Sequence, residues 1–168
     1  MSWLKTMYNI FKDTTCIVGV GNYYRCDDAV GLYIVDALAA TVQQPHIVIF
    51  NVEDIIESYC FAIAESNCKN VLIIDAIEAD AEEGTVVFGR LSDFVETGLD
   101  VSTHKLALRM SCKILEASGK DVYMLGIVIK QNDFGKGLSP IIHSKVDSIV
   151  SMVQSSIMSN QKECVYEH

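Results

Sequence analysis

Short apolar runs alternate with amphipathic helical stretches along almost the whole chain, and few folds accept that order. Residues 16–20, 47–52, 70–74 and 122–129 are brief, nearly unbroken hydrophobic segments rich in β-branched side chains, and they read as buried strands. Between them, residues 28–40 carry Val30, Ile34, Val35 and Leu38 at helical spacing. Residues 57–66 suit a short helix, and residues 103–117 place Leu106, Met110, Ile114 and Leu115 along one stripe before Gly119 ends it. Strands without polar alternation are covered on both faces, and strand–helix alternation makes them parallel. The expected fold is therefore a single three-layer α/β domain, a mostly parallel twisted sheet with helices on both faces.

Three segments fall outside that repeat. Trp3, Leu4, Met7, Tyr8 and Phe11 give residues 1–14 the spacing of an amphipathic helical extension. Residues 85–88 suit a short antiparallel edge strand, and the stretch to Ser102 reads as a loop with one helical turn near 92–96. Ser139 and Pro140 supply an N-cap and a first-turn proline for a last helix running to about residue 158. The α/β domain is thus expected to span 15–158, followed by a polar tail over 159–168.

Charge and composition narrow the functional classes. The chain has 168 residues and a net charge of −9, with no extended basic cluster of the kind that binds a phosphate backbone, so nucleic acid is not an expected partner. No apolar stretch approaches the length that spans a bilayer, and the first residues lack a secretory pattern, so a cytoplasmic protein without membrane insertion is expected. Cysteines 16, 26, 60, 68, 112 and 164 show no paired metal-ligand spacing. They read as reduced core or surface thiols.

The chemistry-bearing residues cluster at strand ends and helix starts, which gather in one crevice at the carboxyl edge of an open α/β sheet. Gly19-Val20-Gly21 leaves the first strand, but Tyr24 occupies the place of the next glycine in a dinucleotide fingerprint, and Asn51 stands where a ribose-binding acid belongs. A small nucleotide-binding regulator is accordingly a weak alternative. Asp27 and Asp28 open the first helix of the repeat; one suffices as a cap, leaving the other free. Asp75 follows Val71-Leu72-Ile73-Ile74, where an ionised group is costly unless it meets water, a donor or a cation. His104 follows Ser102-Thr103 at a helix start, where the dipole favours a neutral imidazole able to bind metal. Two carboxylates about 4 Å apart repel by roughly 4 kcal/mol at an effective dielectric of 20, enough to hold a proton or recruit a cation. Oxygen and nitrogen donors without thiolate suit zinc, nickel or manganese.

These residues also carry a resemblance. The run from Gly19 through Gly21-Asn22, Asp27-Asp28 and Gly31 is similar to the opening motif of the nickel–iron hydrogenase maturation endopeptidases. The likeness continues through Leu72-Ile73-Ile74-Asp75, Ser102-Thr103-His104 and Gly137-Leu138-Ser139-Pro140. Residues 56–59 resemble the formate hydrogenlyase-type and archaeal branch. The resemblance implies an endopeptidase, metal-dependent or aspartate-assisted, that removes the carboxyl-terminal extension of a hydrogenase large-subunit precursor after nickel insertion. It assigns metal binding to Asp28, Asp75 and His104; a catalytic role for the same three, with Asn22 and Asp27 in support, is the reading of the residues themselves. The nickel would come with the substrate, and zinc or cadmium could substitute in vitro. The implied substrate-recognition turn falls on Asn51, Val52, Glu53 and Asp54, where the family's usual glycines are absent. That departure motivates a second expectation, a non-catalytic assembly factor that binds the nickel-loaded precursor.

Overall fold

The computed structural model describes residues 2–96 and 104–166. Its elements run α1 (Trp3–Ile10), β1 (Thr15–Gly19), a 3-10 turn (Cys26–Ala29), α2 (Val30–Thr41), β2 (Ile47–Asn51), α3 (Ile56–Glu65), β3 (Asn70–Ile77) and β4 (Val86–Arg90). They continue with α4 (Leu91–Glu96), α5 (Lys105–Ala117), β5 (Asp121–Val128) and α6 (Pro140–Tyr166). The five strands form one sheet in the order β2-β1-β3-β5-β4, parallel except for β4. This is the expected α/β architecture, with the antiparallel strand at the predicted edge.

Strand parity divides the core into two layers. Leu72, Ile74 and Ala76 of β3 pack with α1, α2 and α6, whereas Val71, Ile73 and Ile77 pack with α3, α4 and α5. Asp75 shares the parity of the second set. The chain places β2 on one side of β1 and β3 on the other, so its topological switch lies between β1 and β3.

Three expectations change. First, β3 continues three residues past its expected end, because Asp75, Ala76 and Ile77 keep pairing with Gly126, Ile127 and Val128. Asp75 therefore lies within a strand, at the point where β1 has already left: the last link across that pair is Val20 N–H to the Ile74 carbonyl, 3.0 Å. Second, the last helix runs to Tyr166, well beyond residue 158. Asn160 ties it to the first helix by donating to the Tyr8 carbonyl at 3.0 Å. Third, Cys16 and Cys68 are joined as a disulfide across a Cα separation of 6.0 Å, whereas Cys26, Cys60 and Cys112 are free. Their spacing in sequence is 52 residues, so only the parallel pairing of β1 with β3 brings the two thiols together.

Candidate active site

Gly31 explains how two distant aspartates meet. It sits in the first turn of α2 with its backbone against the ends of β1 and β3. A Cβ there would lie 2.3 Å from the Ile74 carbonyl oxygen and 2.7 Å from that of Val20. Only glycine allows this approach. Gly21 makes a similar one, since a Cβ on it would stand 2.3 Å from the Asp28 carbonyl oxygen. The 3-10 turn that carries Asp28 is thereby pressed onto the sheet at the switch point.

His104 reaches the same place from the other layer. It occupies the N-cap position of α5, its carbonyl accepting from Leu108 N–H at 3.0 Å, one residue before the helix rather than inside its first turn. Residues 102 and 103, the expected caps, lie outside the described residues. The ring bridges the two acids: Nδ1 is 3.5 Å from Asp75 Oδ2 and Nε2 is 3.8 Å from Asp28 Oδ2. One donor atom from each of the three residues falls within 4.8 Å of the others. Asp28 and Asp75 are almost wholly buried and His104 nearly so.

Burial is the largest influence on the His104 ring and favours its neutral form. The carboxylates of Asp75, Asp28 and Asp54 together outweigh it and raise the pKa. An imidazole held between two carboxylates is a place where positive charge is welcome, whether it arrives as a proton or as a metal ion. Oxygen, oxygen and nitrogen donors fit a borderline divalent cation, and three protein ligands leave positions open for a peptide or water.

The supporting residues divide differently from expectation. Asp27 and Asp28 cap no helix of their own. Instead, the fully buried Asp27 accepts at Oδ1 from the Ser139 backbone N–H, 2.7 Å away, while Ser139 Oγ accepts from Ile142 N–H at 3.5 Å as the cap of α6. The first and last sequence motifs are thus physically joined. Asn22 Oδ1 accepts from the Tyr24 backbone N–H at 2.9 Å, and its Nδ2 donates to Asp54 Oδ2 at 3.4 Å.

Of the 51–54 turn, only Asp54 lines the cleft with Asn22, Arg25, Asp28 and His104, a cavity of about 220 Å³. Asn51 donates to Tyr23 Oη at 2.7 Å and to Asp36 Oδ1 at 2.9 Å, and Val52 is buried in the core. Glu53 holds a left-handed conformation, φ 49°, where a glycine would rest without strain. Its carbonyl accepts from Gly21 N–H at 3.0 Å, so the turn remains fastened to the first motif. Arg25 is the cleft residue that the sequence reading passed over; an arginine inside an acidic motif was the available signal.

Buried acids and an imidazole at the switch point of a parallel sheet define a hydrolytic or metal-handling α/β enzyme rather than a nucleotide binder. Comparison with known proteins makes this specific. The family model for the HycI hydrogenase maturation proteases matches residues 32–156, and the chain belongs to that family. It is an endopeptidase of the group that acts on hydrogenase large-subunit precursors. A Methanocaldococcus jannaschii protein assigned as a hydrogenase maturation protease is 24% identical over 87% of this chain and 97% of its own length. The [NiFe] hydrogenase maturation protease HycI of Thermococcus kodakarensis shares the fold with a TM-score of 0.77 at 25% identity, covering 91% of this chain and 99% of that one. The Escherichia coli endopeptidase HybD gives 0.74 at 20% identity, covering 86% and 92%.

Proposed function

We propose that this endopeptidase removes the carboxyl-terminal extension of a nickel–iron hydrogenase large subunit, recognising the nickel already inserted through Asp28, Asp75 and His104. The observation that carries the reading is their convergence: three elements, distant in sequence, bring one donor atom each within 4.8 Å of the others. Asp28 lies outside the family-model match, so its proposed role is supported by this geometry and by its motif.

Gripping the substrate's metal would bring the scissile peptide beside two carboxylates. Asp28 or Asp75 could then take the proton of an attacking water, and the imidazole could relay it to the leaving amine. Zinc or cadmium would serve as a stand-in ion for the same donor set. Asn22 retains one amide hydrogen for the substrate backbone, and Asp27 steadies the turn that carries Asp28. The proposed setting is the cytoplasm; no helix among the described residues is long and apolar enough to cross a membrane.

The test is cleavage of a nickel-loaded precursor by purified Asp28→Ala and His104→Ala, following release of the carboxyl-terminal peptide by mass spectrometry and folding by circular dichroism. Both variants should fold and neither should release the peptide. Processing by both at the rate of the unaltered protein would remove the assignment.

A further inference from the structure

We propose that Arg25 is a catalytic residue whose guanidinium receives the scissile carbonyl oxygen as negative charge develops on it. The inference deepens the proposed function and rests on it. Arg25 closes the loop before the 3-10 turn; its carbonyl accepts from Asp28 N–H at 3.1 Å, and the residue lines the same cleft as Asp28 and His104.

The arm is fixed by two contacts. Its Nε donates to the Asn132 carbonyl at 3.0 Å, and the guanidinium lies 5.7 Å from the centre of the Phe134 ring. That ring is 88% exposed, so burial does not explain its position, whereas a cation–π contact with Arg25 gives it a task. Two backbone bonds tie the segments together, from Cys26 N–H to the Gly135 carbonyl at 3.0 Å and from Gly135 N–H to the Tyr24 carbonyl at 2.9 Å.

With Nε committed, both terminal nitrogens of the guanidinium have no hydrogen-bond or ion-pair partner among the described residues. These are donors held in a planar fork beside a peptide-cleaving site. An acidic substrate side chain is a poor occupant, because it would have to approach Asp28 and Asp54 in the same cleft. A peptide carbonyl arrives uncharged. When water adds to its carbon, the π electrons move to oxygen and create the anion that a fixed cation stabilises. Collapse of that intermediate re-forms the carbonyl, breaks the carbon–nitrogen bond and releases an amine. The amine takes the proton lost by the water, so one water is consumed per peptide bond.

The experiment compares Arg25→Gln, Arg25→Lys and Arg25→Gly in steady-state cleavage of nickel-loaded precursor, with a calorimetric titration of each full-length variant by nickel ion alone. Arg25→Gln should lose about 10²–10³ in kcat, the range for removing one oxyanion donor, with KM within about threefold. Arg25→Lys should recover part of the rate. Free guanidinium should rescue Arg25→Gly, an effect that a merely misfolded variant would not show. Nickel affinity should be unchanged. Unaltered kcat, a loss confined to KM, or failure of guanidinium rescue would overturn the role. Failure of the metal reading is separable, since it would show as retained cleavage by Asp28→Ala whatever Arg25 does.

Discussion

Buried polar groups occur at both ends of this sheet, and they are treated in opposite ways. At the amino edge, Thr15, Asn70 and Lys120 are spent on backbone carbonyls. Thr15 Oγ1 donates to Ile10 at 2.7 Å, Asn70 Nδ2 donates to the same carbonyl at 2.9 Å, and Lys120 Nζ bridges Ser66 and Cys68 at 2.8 and 2.6 Å. At the carboxyl edge the buried groups are Asp27, Asp28 and Asp75, with His104 beside them. Donors satisfying orphan carbonyls secure a fold. Like charges gathered at one point add repulsion to the fold and become useful once a cation arrives. Burial alone would have marked both ends as special; the sign and destination of each group tell them apart, and they support the proposed role of the carboxyl edge.

The sharpest way to break that contrast is to neutralise one acid at the carboxyl edge. Asp75→Asn keeps the shape and one acceptor oxygen while removing the charge. Precursor cleavage should fall by about 10³-fold, within the range for losing a proton-transfer group or a metal ligand. The midpoint of thermal unfolding, followed by circular dichroism, should hold or rise as repulsion is relieved. A clearly lower midpoint with intact cleavage would make Asp75 a structural residue like Asn70.

Gly31→Ala probes how the two acids are brought together. Its Cβ would stand 2.3 Å from a strand carbonyl that cannot rotate away, so α2 must lift from the sheet and carry Asp28 with it. The expected loss is about 3 kcal/mol in urea unfolding, together with weaker nickel binding by calorimetry. At the opposite edge, Lys120→Met should cost less, about 1–3 kcal/mol for one buried and one part-buried carbonyl that lose this donor, and should leave cleavage untouched. Equal losses of activity from Lys120→Met and Asp75→Asn would erase the distinction between the two ends.

Much of this was legible beforehand because periodicity and turn chemistry are local. Alternating strands and helices announced the sheet, and Ser139-Pro140 announced the start of α6. Convergence of Asp28, Asp75 and His104 followed from the rule that strand ends gather at one edge. What local patterns hide is partner choice. Asp27 looks like a helix cap yet holds Ser139, which lies 112 residues away. Cys16 and Cys68 look like scattered thiols until β1 and β3 pair. Asn51 looks like part of a recognition turn, but its amide is drawn between Tyr23 and Asp36. The extension of β3 through Asp75 was missed because a charged residue normally ends an apolar run; here β5 keeps its backbone paired while β1 turns away.

That Tyr23 network supplies the smallest and most specific prediction, because it lies at the carboxyl edge yet belongs with the structural groups. Burial, followed by the hydrogen bond to Asp36, pushes the Tyr23 phenol up to about 12. Its O–H donates to Asp36 Oδ2 at 2.5 Å while its oxygen accepts from Asn51. The folded chain therefore favours the neutral phenol more than the unfolded chain does, whose tyrosine loses its proton near pH 10. The stabilisation is complete below pH 10 and drains away as pH rises from about 10 to about 12. Chemical unfolding measured across that window should show a steeper decline for the unaltered protein than for Tyr23→Phe, which has no proton to lose there. Matching slopes would mean that the phenol is no better protected in the fold than in water. The residues of the 51–54 turn would then be free to meet substrate after all.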